Sequence, residues 1–87
     1  MYQVTKRDGT IAQFEIGKIS AAITKAFEAM EKQYHPSVID MLALRVTADF
    51  VPKVKDGRIA VEDIQDSVEK VLSEAGYADV AKAYILY

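Results

Sequence analysis

The sequence predicts an α+β fold, mostly α: a four-helix bundle capped by a small β-hairpin or three-stranded sheet. Three observations carry this. The first fifteen residues place β-forming side chains on both sides of Asp8-Gly9, a strong turn signal. At Ile16 the hydrophobic period lengthens from that of a strand to that of a helix. Breaks at Tyr34-His35-Pro36, between Pro52 and Gly57, and at Gly76 then cut the remainder into four amphipathic stretches. The chain has 87 residues, enough for one hydrophobic core. Residues 1–87 are therefore expected to form one domain, with a hairpin cap over 1–15 and a helical bundle over 16–87.

Tyr2 to Lys6 and Thr10 to Phe14 read as the two hairpin arms. A two-residue turn at Asp8-Gly9 pairs Lys6 with Ile11 and Val4 with Gln13, so that Tyr2, Val4, Lys6, Ile11, Gln13 and Glu15 share one face. Ile16, Ile19, Ala22, Ile23, Ala26, Phe27 and Met30 form the apolar stripe of a first helix that fades near Gln33. Glu15 precedes it, where a carboxylate complements the helix dipole and can cap. Pro36 suits the first turn of a second helix, with Val38, Met41, Leu42, Val46, Ala48 and Val51 inward. Arg58 to Ala60 is expected as a third strand. A third helix from Val61 or Glu62 turns Ile64, Val68, Val71, Leu72 and Ala75 inward, and Gly76 ends it. Ala78 to Tyr87 forms a fourth helix, packing through Val80, Ala81, Tyr84 and Ile85.

Composition narrows the function. Hydrophobic residues at 51% and charged residues at 28% exclude a disordered linker. No apolar run approaches the ~20 residues of a membrane span, and the charged start is not a secretory signal. Absence of cysteine excludes a disulfide scaffold, a thiolate zinc site and a thiol nucleophile, and fits the cytoplasm. A net charge of −2 with mixed signs argues against duplex nucleic acid as partner. One local exception stands out: Lys6, Arg7 and Lys18 lie close together, opposed by Asp8 and Glu15. Three cations can serve one polyphosphate, because fields act locally; a solvated hairpin tip is the plainer alternative.

No catalytic constellation is present. His35 is the single histidine, at a helix boundary, where a capping or surface role is expected. Glu62, Asp63, Asp66 and Glu69 read as a solvated acidic face rather than a metal site, and no Gly-rich phosphate loop occurs. The start of the first helix offers unpaired N–H groups and a positive dipole end beside the three cations. Lys18 in that first turn conflicts with the dipole, a conflict that a bound anion or solvent relieves.

Val4-Thr5-Lys6-Arg7-Asp8-Gly9, then Phe14-Glu15-Ile16-Gly17-Lys18-Ile19, resemble the opening of an ATP-cone domain. Ile64-Gln65-Asp66-Ser67-Val68-Glu69-Lys70-Val71-Leu72, Gly76-Tyr77 and Val80-Ala81-Lys82-Ala83-Tyr84-Ile85-Leu86-Tyr87 resemble its end, so the likeness spans the chain. It implies an allosteric regulatory domain sensing ATP and dATP, the activity-control module of a ribonucleotide reductase. The terminal segment most resembles the anaerobic branch, implying a ribonucleoside-triphosphate reductase as parent enzyme. The implied site lies under the hairpin, against the first and third helices. By motif position Lys6 and Arg7 contact phosphates, and Lys18 the nucleotide at the first helix. Val4, Phe14, Ile19, Val61 and Ile64 surround base and sugar. Glu15 falls where the adenine amino group is read; an acceptor-only carboxylate suits that donor and repels the guanine carbonyl. Gln65 stands near sugar and phosphates, where the aerobic branch can carry His. The resemblance also implies a further basic residue just beyond the last helix, past Tyr87, so within residues 1–87 the phosphate site is expected to be incomplete. Mg²⁺ is expected with the triphosphate, held by phosphate oxygens and water. Implied partners are the rest of a reductase subunit or another cone, with no nucleic acid and no membrane. Two alternatives remain: a cone that has lost its ligand and docks a partner through its third and fourth helices, and the nucleotide-sensing part of a repressor of reductase genes.

Overall fold

A computed structural model describes residues 2–84. The order is β1 (Gln3–Thr5), β2 (Ile11–Gln13), α1 (Ile16–Ala29), α2 (Pro36–Phe50), a 3₁₀ turn (Val51–Lys53), β3 (Arg58–Ala60), α3 (Val61–Glu74) and α4 (Ala78–Ala83). The expected mostly helical α+β class, with four helices and a three-stranded sheet, is what is found. The strand order is β2-β1-β3, antiparallel on one side of β1 and parallel on the other.

The hairpin register differs from the expected one by a residue. Val4 pairs with Ala12 and Thr5 with Ile11, while the Lys6 N–H donates to the Thr10 carbonyl at 2.8 Å. The loop is therefore Arg7-Asp8-Gly9. A two-residue type I′ turn needs positive φ at both Asp8 and Gly9; here only Gly9 has it, at +86°. Asp8 instead accepts from the Thr10 backbone N–H at 3.0 Å and the Thr10 hydroxyl at 2.7 Å. The physical reason lies at the other end of the strands. A one-residue slip moves every side chain of β2 to the opposite face. In the observed register Phe14 turns inward with Tyr2 and Val4, and Ile11 is left 43% exposed. Burying the aromatic ring outweighs burying Ile11. Lys6 consequently shares its face with Thr10, Ala12 and Phe14, not with Ile11, Gln13 and Glu15. The chain's second Asp-Gly does make the two-residue turn: Asp56 and Gly57 both have positive φ, at 53° and 72°, between Lys55 and Arg58.

One core joins all four helices with β1 and β3. Ile19, Ile23, Ala26 and Phe27 of α1 are buried as expected, but Ile16 and Met30 at its ends are exposed. In α2 the buried set is Ile39, Leu42, Ala43, Val46 and Phe50. The expected stripe is turned too far, since Met41, Ala48 and Val51 face solvent. Phe50 wins the inward position because its ring meets Phe14 and Tyr2, at centroid separations of 5.4 and 6.1 Å. His35 caps α2 through Nδ1, which accepts from the Ser37 N–H, and Pro36 opens the helix. Gly76, at φ +92°, ends α3: its N–H reaches the Ser73 carbonyl and the Tyr77 N–H the Leu72 carbonyl, a Schellman motif. The fourth helix is shorter than expected. It ends at Ala83, and Tyr84 is extended; Ile85 and the rest of that stretch lie outside the described residues. Among the described residues no helix is long and apolar enough to cross a membrane.

Two features yield stability tests. The end of α1 repeats the Schellman pattern with Glu31 in the left-handed position, at φ 53°. Glycine adopts that conformation without the Cβ clash, so Glu31→Gly should stabilise the fold by about 0.5–1 kcal/mol, read as a higher urea midpoint. Across α2 and α3, Lys70 donates to Asp49 at 3.0 Å. The Ser67 hydroxyl and then the Lys70 ammonium hold the Asp49 carboxyl below its ordinary 3.8. The folded state thus binds fewer protons than the unfolded, so this stabilisation is full above about 3.8 and lost as pH falls through the lowered folded value. Asp49→Asn should therefore be less stable than the parent chain near neutrality, and the difference should shrink as urea unfolding is repeated at falling pH.

Candidate functional site

The three-residue loop carries Lys6 and Arg7 to the start of α3. Parallel pairing of β1 with β3 sets this placement, because Thr5 is opposite Ala60 and Val61 begins the helix in the next position. Lys6, Arg7, Asp8 and Val61 line a cleft of about 210 Å³. The Arg7 guanidinium turns back onto α3, where Nη2 donates to Gln65 Oε1 and Nε lies 3.5 Å from Glu62 Oε2. Both members of the ion pair are about half exposed, at 54% and 55%, so this is a screened contact that other anions can contest. Hydrogen bonds from Thr10, first its hydroxyl and then its backbone N–H, hold the Asp8 carboxyl below the ordinary range.

The remaining candidates take two other places. Glu15 and Lys18 flank the beginning of α1 and pair with each other at 3.3 Å. Glu15 makes no side-chain cap bond, contrary to the expected capping role, because its carboxylate turns to Lys18 instead. That pairing relieves the conflict between Lys18 and the helix dipole. Phe14 lies in the ring cluster with Tyr2 and Phe50. Val4, Ile19 and Ile64 belong to the closed core, at 5%, 2% and 2% exposure, together with Val61. Of the ten candidates the structure thus gathers Lys6, Arg7, Val61 and Gln65 at the hairpin tip, and Glu15 with Lys18 at the α1 start. Glu62, which the sequence assigns to a solvated acidic face, joins the first group through its contact with Arg7. Its carboxylate in the first turn of α3 reads in sequence as a complement to the helix dipole, and nothing local announces a partner in the hairpin.

Small-molecule clefts usually measure ~300–1,000 Å³, so a space of about 210 Å³ takes a phosphate group or two, not a whole nucleotide. Its polar lining is one lysine, one guanidinium and the Asp8 carboxylate, the last already engaged by Thr10, so the donors offered to anionic oxygen are the two cations. Among the described residues no group of three or more His, Asp or Glu converges to hold a metal ion. The structure thus presents a sheet-capped helical bundle with two cations at the joint of hairpin and α3.

Comparison with known proteins agrees. The family model described as ATP cone domain matches residues 2–87, and the chain belongs to the ATP-cone family. It is 46% identical over 90 residues to the ribonucleoside-diphosphate reductase subunit alpha of Chlamydia pneumoniae, covering 97% of this chain and 9% of that protein. It is 41% identical over 85 residues to the vitamin B12-dependent ribonucleoside-diphosphate reductase of Mycobacterium tuberculosis, covering 98% of this chain and 12% of that one. The anaerobic ribonucleoside-triphosphate reductase of Haemophilus influenzae is 35% identical over 86 residues, covering 99% and 12%. The chain therefore spans about a tenth of the length of these relatives. Similarity does not single out the anaerobic branch expected from the terminal segment. As an ATP-cone the domain is regulatory rather than catalytic in itself.

The loop that presents the cations rests on Asp8. Asp8→Ala should leave the core intact while amide hydrogen exchange at Lys6, Gly9 and Thr10 accelerates. The parent loop should loosen in the same way as pH falls through the lowered Asp8 value, since the carboxylate is then lost as acceptor.

Proposed function

We infer that this domain senses adenine nucleotides, ATP and dATP, and passes their occupancy to the reductase polypeptide of which such cones are part. The observation that carries the reading is the cleft between hairpin tip and α3, lined by Lys6 and Arg7. The triphosphate end is held there by charge-assisted hydrogen bonds, with Gln65 steadying the guanidinium. Adenine lies toward the α1 start, where the Glu15 carboxylate accepts from its amino group and Lys18 adds a cation. Phe14 and the apolar residues beneath it, Val4, Ile19, Val61 and Ile64, form the wall under base and sugar. They reach the ligand as the hairpin rises from the helices, because the cleft alone is too small for the whole molecule. Mg²⁺ enters on the phosphate oxygens and water. ATP and dATP differ by one hydroxyl, so their opposed effects require contacts whose free energy depends on that group in one conformation more than in another. A parent enzyme of the ribonucleoside-triphosphate class and a cytoplasmic setting complete the reading.

A second reading, a docking module without nucleotide, is favoured by the exposed apolar side chains of α2, Met41 and Leu44, the latter 63% exposed. The inward faces of α3 and α4 are not available for it, since Val68, Val71, Leu72 and Val80 are buried in the core.

Titration calorimetry with Mg²⁺ separates the two. Saturable binding of ATP, tighter than GTP and weakened by about tenfold in Lys6→Ala, is the expected result. Lys32→Ala, which removes the ion pair to Asp79 on α4, should leave affinity unchanged. Equal losses in the two variants, or no adenine preference, would count against this site.

A further inference from the structure

The Arg7 guanidinium is approached by two acceptors of α3 that differ in charge. Gln65 is neutral and accepts from Nη2; Glu62 is anionic and lies 3.5 Å from Nε. Both reach Arg7, a lining residue of the cleft, from positions one turn apart on the helix that also supplies Val61 to that lining. These two contacts do different physical work. An amide hydrogen bond fixes the direction of the guanidinium while leaving its charge whole. A carboxylate at the same group offsets that charge and repels any anion entering beside it.

We propose that Glu62 is an internal competitor for Arg7 that sets how tightly the cleft takes a polyphosphate, whereas Gln65 is the positioning residue that keeps the guanidinium aimed. The inference rests on the nucleotide reading above. Its sign follows from magnitudes. An exposed ion pair adds little order to Arg7 beyond what the Gln65 bond supplies, so neutralising Glu62 sacrifices little aim. The repulsion it removes acts on every phosphate charge in the cleft and therefore grows with ligand charge. Glu62 thus holds affinity below what the cations alone would give, which keeps the domain responsive to changes in nucleotide level instead of permanently filled.

The test is a calorimetric titration of the whole chain and its variants with ATP and AMP in the presence of Mg²⁺ at low salt. Glu62→Gln and Glu62→Ala should both tighten ATP binding by about two- to fivefold, with a smaller gain for AMP, and the gain should shrink as salt rises. It should be reduced in an Arg7→Ala background, where the competition for the guanidinium is gone and only the direct repulsion remains to be relieved. Glu31→Gln, which removes an equal charge beyond the far end of α1, should show no gain. Gln65→Ala should weaken binding. NMR of the Arg7 Nε–H without nucleotide should report loss of the carboxylate contact in Glu62→Ala. Unchanged or weaker ATP binding in both Glu62 variants, or an equal gain for AMP, overturns the competitor role while leaving the nucleotide site standing. Absence of saturable ATP binding by the parent chain and by every variant overturns the nucleotide reading itself and this inference with it.

Discussion

Three rings decide where two cations stand. Tyr2, Phe14 and Phe50 meet edge-on or tilted, with centroids 5.4 to 6.1 Å apart, and they join both ends of the hairpin to the last turn of α2. Strands of three residues carry too few ladder bonds to choose a register unaided. The aromatic contact makes the choice, since a slip by one residue would turn Phe14 out to solvent. Once that register is set, the loop must be Arg7-Asp8-Gly9, and Arg7 is delivered to α3 rather than held in a strand. The geometry of the cleft is thus a consequence of packing at the opposite end of the sheet.

Much of this was legible in residues that act locally. The period change at Ile16, Pro36 at a helix start and Gly76 at a helix end each fix an element by backbone chemistry alone, and each stands where expected. Expectation and structure part where a local signal is overruled by partners distant in sequence. Asp8-Gly9 and Asp56-Gly57 are the same dipeptide, yet only the second makes the two-residue turn. No rule on the dipeptide separates them, because the decision belongs to Phe14 and Phe50. The stripe of α2 failed for the same reason: Val51 and Phe50 are equally apolar neighbours, and the ring that finds other rings goes inside. For the site, Lys6 and Arg7 could be named from charge and motif. Glu62 could not, because its contact is set by the β1–β3 pairing between the two ends of the chain.

The charges around the cleft are arranged for exchange rather than permanence. Arg7 and Glu62 are half exposed, and Lys18 with Glu15 is similarly open to water. Pairs of this kind contribute little to stability, so rearranging them changes the local field at small energetic cost. The buried core beneath is the opposite case, with Ile23, Leu42, Val46 and Val68 fully enclosed. The enclosed centre of the bundle holds the fold while the exposed charges at its rim can rearrange.

The ladder between β1 and β3 bears on how the protein is made. Its first strand is completed early in synthesis, but its parallel neighbour and the helix holding Gln65 follow more than fifty residues later, as the separation of 58 between Arg7 and Gln65 shows. Contacts so far apart in the chain form late and slowly compared with local ones. Until α3 has emerged, a nascent polypeptide on the ribosome can brace this marginal hairpin only through the rings it packs on Phe50 of α2. The guanidinium acquires its helical neighbours only when this segment is whole, so a truncated translation product carries the cations without the cleft they line.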